Sequence, residues 1–145
     1  MANAEVCFQW LDEGTKHLVL KADPELFDHP INDRWLDNFV ASSTHHMALA
    51  IADGQLIGFA SGVTHLNPDK PTELYLSELS VLPDHRLKGI GSSLVRVALD
   101  WAKSAHYAGV WVLTDADNYA AQATYGAADK TNLMSEKPIL FNWDL

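Results

Sequence analysis

The stretch Val81-Leu-Pro-Asp-His-Arg86-Leu-Lys-Gly89-Ile-Gly91-Ser-Ser-Leu94 decides the fold. An apolar strand runs into Pro83, a short basic turn follows, and two glycines open a helix. Beyond them Ile90, Leu94, Val97, Ala98, Trp101 and Ala105 recur three or four apart, so the spacing predicts a helix over 90–105. Upstream, 73–82 reads as a strand. One of its faces carries Leu74, Leu76, Glu78, Ser80 and Leu82; the other carries Tyr75, Ser77, Leu79 and Val81. Gly109 stands where a left-handed helix cap is expected, and 110–113 is a short apolar strand. Strand, helix and strand in that order imply a parallel crossover.

The rest of the chain builds around that unit. Residues 4–10 read as a first strand, 15–27 as a mixed segment with a short helix, and 30–40 as a helix. In that helix Trp35, Leu36, Phe39 and Val40 form one apolar stripe. Apolar runs at 47–52 and 55–60 flank Asp53-Gly54, a strong hairpin signal. Residues 67–71 are a loop. Asp117 or Asn118 can cap a helix reaching about Ala127, and 138–143 reads as the last strand. The expected architecture is α/β: one domain over 1–145, with a central mixed sheet and helices on its faces.

A chain of 145 residues can close its own core, and 48% hydrophobic with 20% charged residues is an ordinary globular composition. The net charge of −9 argues against nucleic acid or an anionic membrane as partner. It suits a cationic ligand, although acidity also serves solubility alone. The single cysteine, Cys7, excludes an internal disulfide, reads as a small buried residue, and fits a reducing cytoplasm. The first residues carry no secretory leader pattern, and no apolar run approaches the roughly 20 residues needed to span a bilayer. The seven histidines form no metal-ligand spacing, and His45 and His46 point to opposite sides of a strand. No metal is expected. The five tryptophans read as core or interface residues.

The glycine turn carries the chemistry. Amides at a helix N-terminus are unpaired and lie at the positive end of the dipole. Glycines let a phosphate approach them, and Arg86 and Lys88 add positive charge. The residues after Gly91 do not complete a P-loop, and Leu94 stands where a dinucleotide fingerprint needs a third small residue. On the two glycines alone, a pyrophosphate cradle and a plain tight turn both stay open.

Arg86-Leu-Lys-Gly89-Ile-Gly91 resembles the [RQ]-x-x-G-x-[GA] motif of the GNAT family of N-acetyltransferases. Leu79-Ser-Val-Leu-Pro-Asp84 looks like the strand leading into that motif. Asn118-Tyr-Ala-Ala-Gln-Ala-Thr-Tyr125 is similar to the family's Asn-x-x-A-x-x-x-Y helix. The similarity covers about residues 42 to 145. Within the family the chain looks most like the aminoglycoside 3-N-acetyltransferases, through Glu73–Val81, His85-Arg86, Lys88–Gly91, Asp115 and the ending Ile139–Asp144. It departs from them in having Glu78 for the usual Asp, and Gly126-Ala-Ala-Asp-Lys130 for the common Leu-Gly after the tyrosine.

The resemblance implies a mostly antiparallel sheet with one splayed parallel strand pair, helices on both faces, and acetyl-CoA as co-substrate. It implies that the amides of Leu87, Lys88, Gly89, Ile90, Gly91 and Ser92 hold the pyrophosphate beside Arg86. Leu79, Ser80 and Val81 would line the pantetheine chain, with Asn118 bonding it or serving only as a helix cap. Glu78 would be the base, its pKa raised by partial burial. Tyr125 would return a proton to the departing thiolate, or be only a core aromatic. Glu78, Asp115, Asp117, Glu136 and Asp144 would border the acceptor cleft and bind an aminoglycoside polycation, or be solvated surface charges. Acetylation at its 3-amino group would remove a charge and confer resistance. Another amine, such as a polyamine, an amino sugar or a protein N-terminus, is the alternative acceptor. A non-catalytic acyl-CoA-binding module is the rival from another class. The apolar C-terminal strand would suit a homodimer.

Overall fold

The computed structural model describes residues 4–130 and 133–145. Among these residues five strands form one sheet in the order β1-β2-β3-β4-β5: Cys7–Trp10, His45–Ala52, Gln55–His65, Glu73–Val81 and Gly109–Val112. The first three pairings are antiparallel and the last, β4 with β5, is parallel. Asp53 and Gly54 both take positive φ, 50° and 72°, the backbone a two-residue hairpin of this hand requires. The helices are α1 (Lys16–Leu20), α2 (Asp33–Ala41), α3 (Ile90–Ser104) and α4 (Tyr119–Ala128). The mixed sheet with helices on both faces is the architecture expected from the sequence.

Each face has its own core. Leu49, Ile51 and Phe59 pack against Val19 of α1 and Leu36 of α2. On the opposite face Ala48, Ala50, Ala52 and Ala60 meet Ile90 and Leu94 of α3. The small side chains let α3 lie close to the strands. A Cβ on Gly58 would stand 2.9 Å from the Ser80 carbonyl and 3.4 Å from Leu94, so glycine is needed there. Farther along, Leu74, Leu76, Val95, Ala98, Ala102 and Ala128 join β4, α3 and α4.

Several details differ from the sequence reading. Trp35 is 70% exposed; only Leu36 of the α2 stripe is fully buried, because a helix of nine residues touches the sheet along a narrow line. Gly109 does not cap α3. His106 takes the left-handed position at φ 62°, the Tyr107 amide bonds back to the Ala102 carbonyl at 2.9 Å, and Gly109 begins β5. Cys7 is exposed, since it sits on edge strand β1 while its neighbour Phe8 turns toward α3. The expected last strand does not form. Residues 133–145 are coil, with Phe141 72% and Trp143 78% exposed. A strand needs a hydrogen-bonding partner, and apolar composition does not supply one.

Candidate active site

The geometry starts from a bulge in β4. Ser61 pairs with Glu78 but Gly62 pairs with Leu76, so Ser77 is an extra residue on β4. The Ser77 and Ser61 hydroxyls are 3.0 Å apart. The extra residue reverses the alternation beyond it. Leu74 and Leu76 face α3 and α4, and so do Leu79 and Val81. Glu78, opposite Ser61, and Ser80, opposite Phe59, lie on the other face, with Tyr75. The sequence reading had placed Glu78 with Leu74 and Leu76, and Leu79 and Val81 with Tyr75; the bulge overturns both. Glu78 is also exposed rather than partly buried.

Pairing of β4 with β5 ends at Leu76 and Val112. Ser77–Val81 therefore has β3 on one side and an open edge on the other. At its end Pro83–His85 makes a 3-10 turn, and Leu87 and Gly89 take positive φ of 59° and 78°. The first bond of the α3 ladder runs from the Ser93 amide to the Gly89 carbonyl at 3.0 Å. The amides of Ile90, Gly91 and Ser92 thus precede the ladder. A Cβ on Gly89 would have only the Ser92 hydroxyl near it, at 4.0 Å, so the space above the turn is open. This suits a phosphate. Arg86 and Lys88 also brace the turn: Arg86 Nε donates to the Val81 carbonyl at 2.8 Å and Lys88 Nζ to that of Asp84 at 3.0 Å.

The two glycines of the motif differ in role. A Cβ on Gly91 would stand 3.2 Å from Thr124 Cγ2 and 3.9 Å from both Leu79 and Val81. One position thus gathers the start of α3, the middle of α4 and the open edge of β4. Tyr125, next to Thr124, packs on the same cluster as Leu79 and Val112. Burial, and then the neighbouring Tyr75, push the Tyr125 phenol above its ordinary pKa, so it carries its proton at neutral pH. Asn118 caps α4, its Oδ1 accepting from the Ala121 amide at 3.0 Å.

The remaining acidic residues are spread. Asp115 and Asp117 are exposed between β5 and α4, where Gln122 Nε2 holds the segment by donating to the Ala116 carbonyl at 2.9 Å. Glu136 and Asp144 are exposed in coil, without the strand that was to carry them to a cleft. Sequence reasoning missed Ser77, Thr124 and Gln122. Thr124 lies inside the Asn118–Tyr125 motif, which marked its helix, whereas nothing in the sequence marked the bulge.

The family model described as the acetyltransferase (GNAT) family matches residues 7–128. The chain belongs to that family. N-alpha-acetyltransferase RimI of Mycobacterium tuberculosis is 31% identical over 106 residues, 73% of this chain and 65% of that protein. N-acetyltransferase family 8 member 3 of Rattus norvegicus is 34% identical over 86 residues, 57% of this chain and 38% of that one. The chain thus spans less than two thirds of either relative. Among solved structures, an aminoglycoside acetyltransferase from an uncultured soil metagenomic sample, in complex with trehalose, superposes with a TM-score of 0.84 at 15% identity, covering 97% of this chain and 96% of that one. Aminoglycoside N-acetyltransferase AAC(6')-Iy, in complex with CoA, gives 0.79 at 17% identity, covering 99% and 97%. At these identities the likeness is one of fold. Among the described residues no helix is long and apolar enough to cross a membrane.

Proposed function

We propose that the protein transfers the acetyl group of acetyl-CoA to an amino group of an aminoglycoside, the 3-amino group by the subfamily resemblance. Acetyl-CoA supplies the thioester. The chain offers amides ahead of α3 for its pyrophosphate, with Leu87, Lys88 and Gly89 in the turn, and the open edge Leu79–Val81 for its pantetheine arm. The observation that supports the reading is the bulge, which turns Glu78 to the face of β4 away from α3 and α4, while Tyr125 of α4 packs on the other side. The acceptor comes from the Glu78 side. Glu78, directly or through water, takes a proton from the ammonium group, and the freed nitrogen pair attacks the carbonyl carbon. A β4 amide near Val81 stabilises the charge that develops on oxygen. The C–S bond breaks and Tyr125 protonates the thiolate; the nitrogen sheds its second proton, which restores the Tyr125 phenol through water, while the proton on Glu78 passes to solvent. The products are an amide and CoA.

The net charge of −9 supports a polycationic acceptor, with Asp115 and Asp117, between β5 and α4, as further carboxylates. Losing one positive charge is how the drug would lose its activity. The RimI relative favours a second acceptor, the α-amine of a peptide. A CoA-release assay across aminoglycosides, polyamines and peptides separates them. The first reading expects turnover of 2-deoxystreptamine drugs and a KM that rises with salt, since exposed charges are screened beyond about 8–10 Å. NMR of the product distinguishes the 3-amino from the 6′-amino group. Turnover of peptides alone establishes the second reading. Acetyl-CoA binding without turnover of any amine leaves the non-catalytic module.

A further inference from the structure

Beside the opening, on the face that carries Glu78, Tyr75 and Trp111 stack with ring centroids 4.4 Å apart. They are a cross-strand pair, one position before β4 and β5 part. With Val63, Thr64 and His65 they line a concavity of about 220 Å³. The helices on this face, α1 and α2, pack over β2 and β3, and the aromatic pair lies beyond them. Trp111, on the edge strand β5, is 37% exposed.

The charges around the pair name a ligand class. Glu73 lies on the same face, its Oε1 3.4 Å from where a Cβ of Gly109 would stand. Glu78 lies at the other end, three residues from Tyr75, roughly 7–10 Å along the strand. Among the described residues neither carboxylate has a Lys or Arg nitrogen within 4.0 Å. The stack covers one face of each ring, so the outer face of either ring, with an unpaired carboxylate nearby, attracts a cation through its quadrupole and Coulomb energy together. The volume is below the roughly 300–1,000 Å³ of a pocket enclosing a drug-sized ligand, so it takes one ring of a larger molecule.

We infer that Tyr75 and Trp111 form an acceptor subsite, a platform that holds a cationic amino-sugar ring while a second ring brings its amine to Glu78. This rests on the aminoglycoside reading and deepens it by naming the residues that select a cyclic, multiply charged acceptor. A peptide N-terminus offers no such second charged ring.

The test uses the full chain with sisomicin as probe, titrated calorimetrically into wild type, Trp111→Phe, Trp111→Leu and Tyr75→Leu, with acetyl-CoA affinity measured in parallel. Phe keeps a π face and Leu keeps only apolar bulk, so packing and cation–π attraction separate. The expected result is affinity within about threefold for Trp111→Phe and a loss of roughly tenfold for the two Leu variants. Acetyl-CoA affinity should stay unchanged, and for Trp111→Leu, which leaves Tyr75 beside Tyr125 in place, the loss in turnover should fall on KM and not kcat. Equal affinity in all four proteins, equal weakening by Phe and Leu, or a loss in kcat alone overturns the subsite. Binding with this pattern but without acetyl transfer keeps the subsite and removes the proposed reaction. No binding of sisomicin to wild type overturns both.

Discussion

Ser77 Oγ lies 3.0 Å from Ser61 Oγ, across the point where β4 carries one residue more than β3. Ser61 is buried, and among the described residues no buried side-chain polar atom there lacks a partner. The pair satisfies two hydroxyls at a break in the ladder. The break has two consequences: it turns Glu78 to the face away from α3, and it keeps Leu79 and Val81 packed on Leu94 and its neighbours. Without the extra residue, strict alternation from Leu74 and Leu76 would put Glu78 on the α3 face and Leu79 and Val81 on the other.

Glu78→Gln keeps the shape of the side chain and removes its basicity. Turnover with the accepted amine should fall by about 10²–10⁴-fold, the usual loss for a general base. Acetyl-CoA affinity should not change, because Glu78 and the pyrophosphate turn are on different parts of the site. Steady-state rates at pH 6 to 9, with calorimetry for acetyl-CoA, check this. Turnover within a few-fold of wild type would remove Glu78 as the base.

The crossover around the glycine turn was legible because α3 buries one stripe at helical period, and the hairpin was legible because Asp53-Gly54 permits two positive φ values. The face of Glu78 was not. A bulge is a property of the pairing between two strands, and no pattern within 73–82 marks Ser77 as the extra residue. Cys7 and Trp35 failed for a related reason: apolar character shows that a side chain can be buried, not that a neighbour is there to bury it. The C-terminal run Ile139-Leu-Phe shows the same limit.

The two motif glycines should respond differently to a methyl group. Gly89→Ala meets open space but keeps φ at 78°, so its cost is backbone strain of about 1–2 kcal/mol. It should also reshape the phosphate turn and weaken acetyl-CoA binding. Gly91→Ala has ordinary helical backbone but presses on Thr124 Cγ2 at 3.2 Å. It should shift α4, and with it Tyr125, lowering kcat more than acetyl-CoA affinity. Parallel kcat and Kd measurements decide. Loss of acetyl-CoA affinity in Gly91→Ala alone would reverse the assignment.

Tyr125→Phe removes the proton donor and should lower kcat at neutral pH with acetyl-CoA binding intact. It should also change the alkaline limb of stability. Burial raises the folded pKa above 10.0, so the unfolded chain loses this proton first as pH rises. The contribution is fully present below pH 10 and is lost as pH rises through the higher folded value. Urea melts between pH 9 and pH 11 should fall less steeply in Tyr125→Phe than in wild type. Parallel limbs would mean that the phenol is not held in its neutral form by the fold.

His46, on β2, gives the matching acid-side prediction. Its ring lies 4.4 Å from that of Trp101, and its Nε2 is 2.8 Å from the Thr64 hydroxyl, which in turn meets the Tyr107 hydroxyl at 2.8 Å. Burial, and then the adjacent His45, lower its pKa below 6.5. The unfolded chain therefore gains this proton first as pH falls. The stability from neutral His46 is fully present above pH 6.5 and is lost as pH drops through the folded value. His46→Gln retains a hydrogen-bonding side chain but cannot gain the charge. Its stability in urea should be lower than that of wild type at pH 8, because the packing on Trp101 is reduced, and the gap should narrow toward pH 5. A gap that stays constant from pH 8 to pH 5 would show that His46 titrates alike in the folded and unfolded chain.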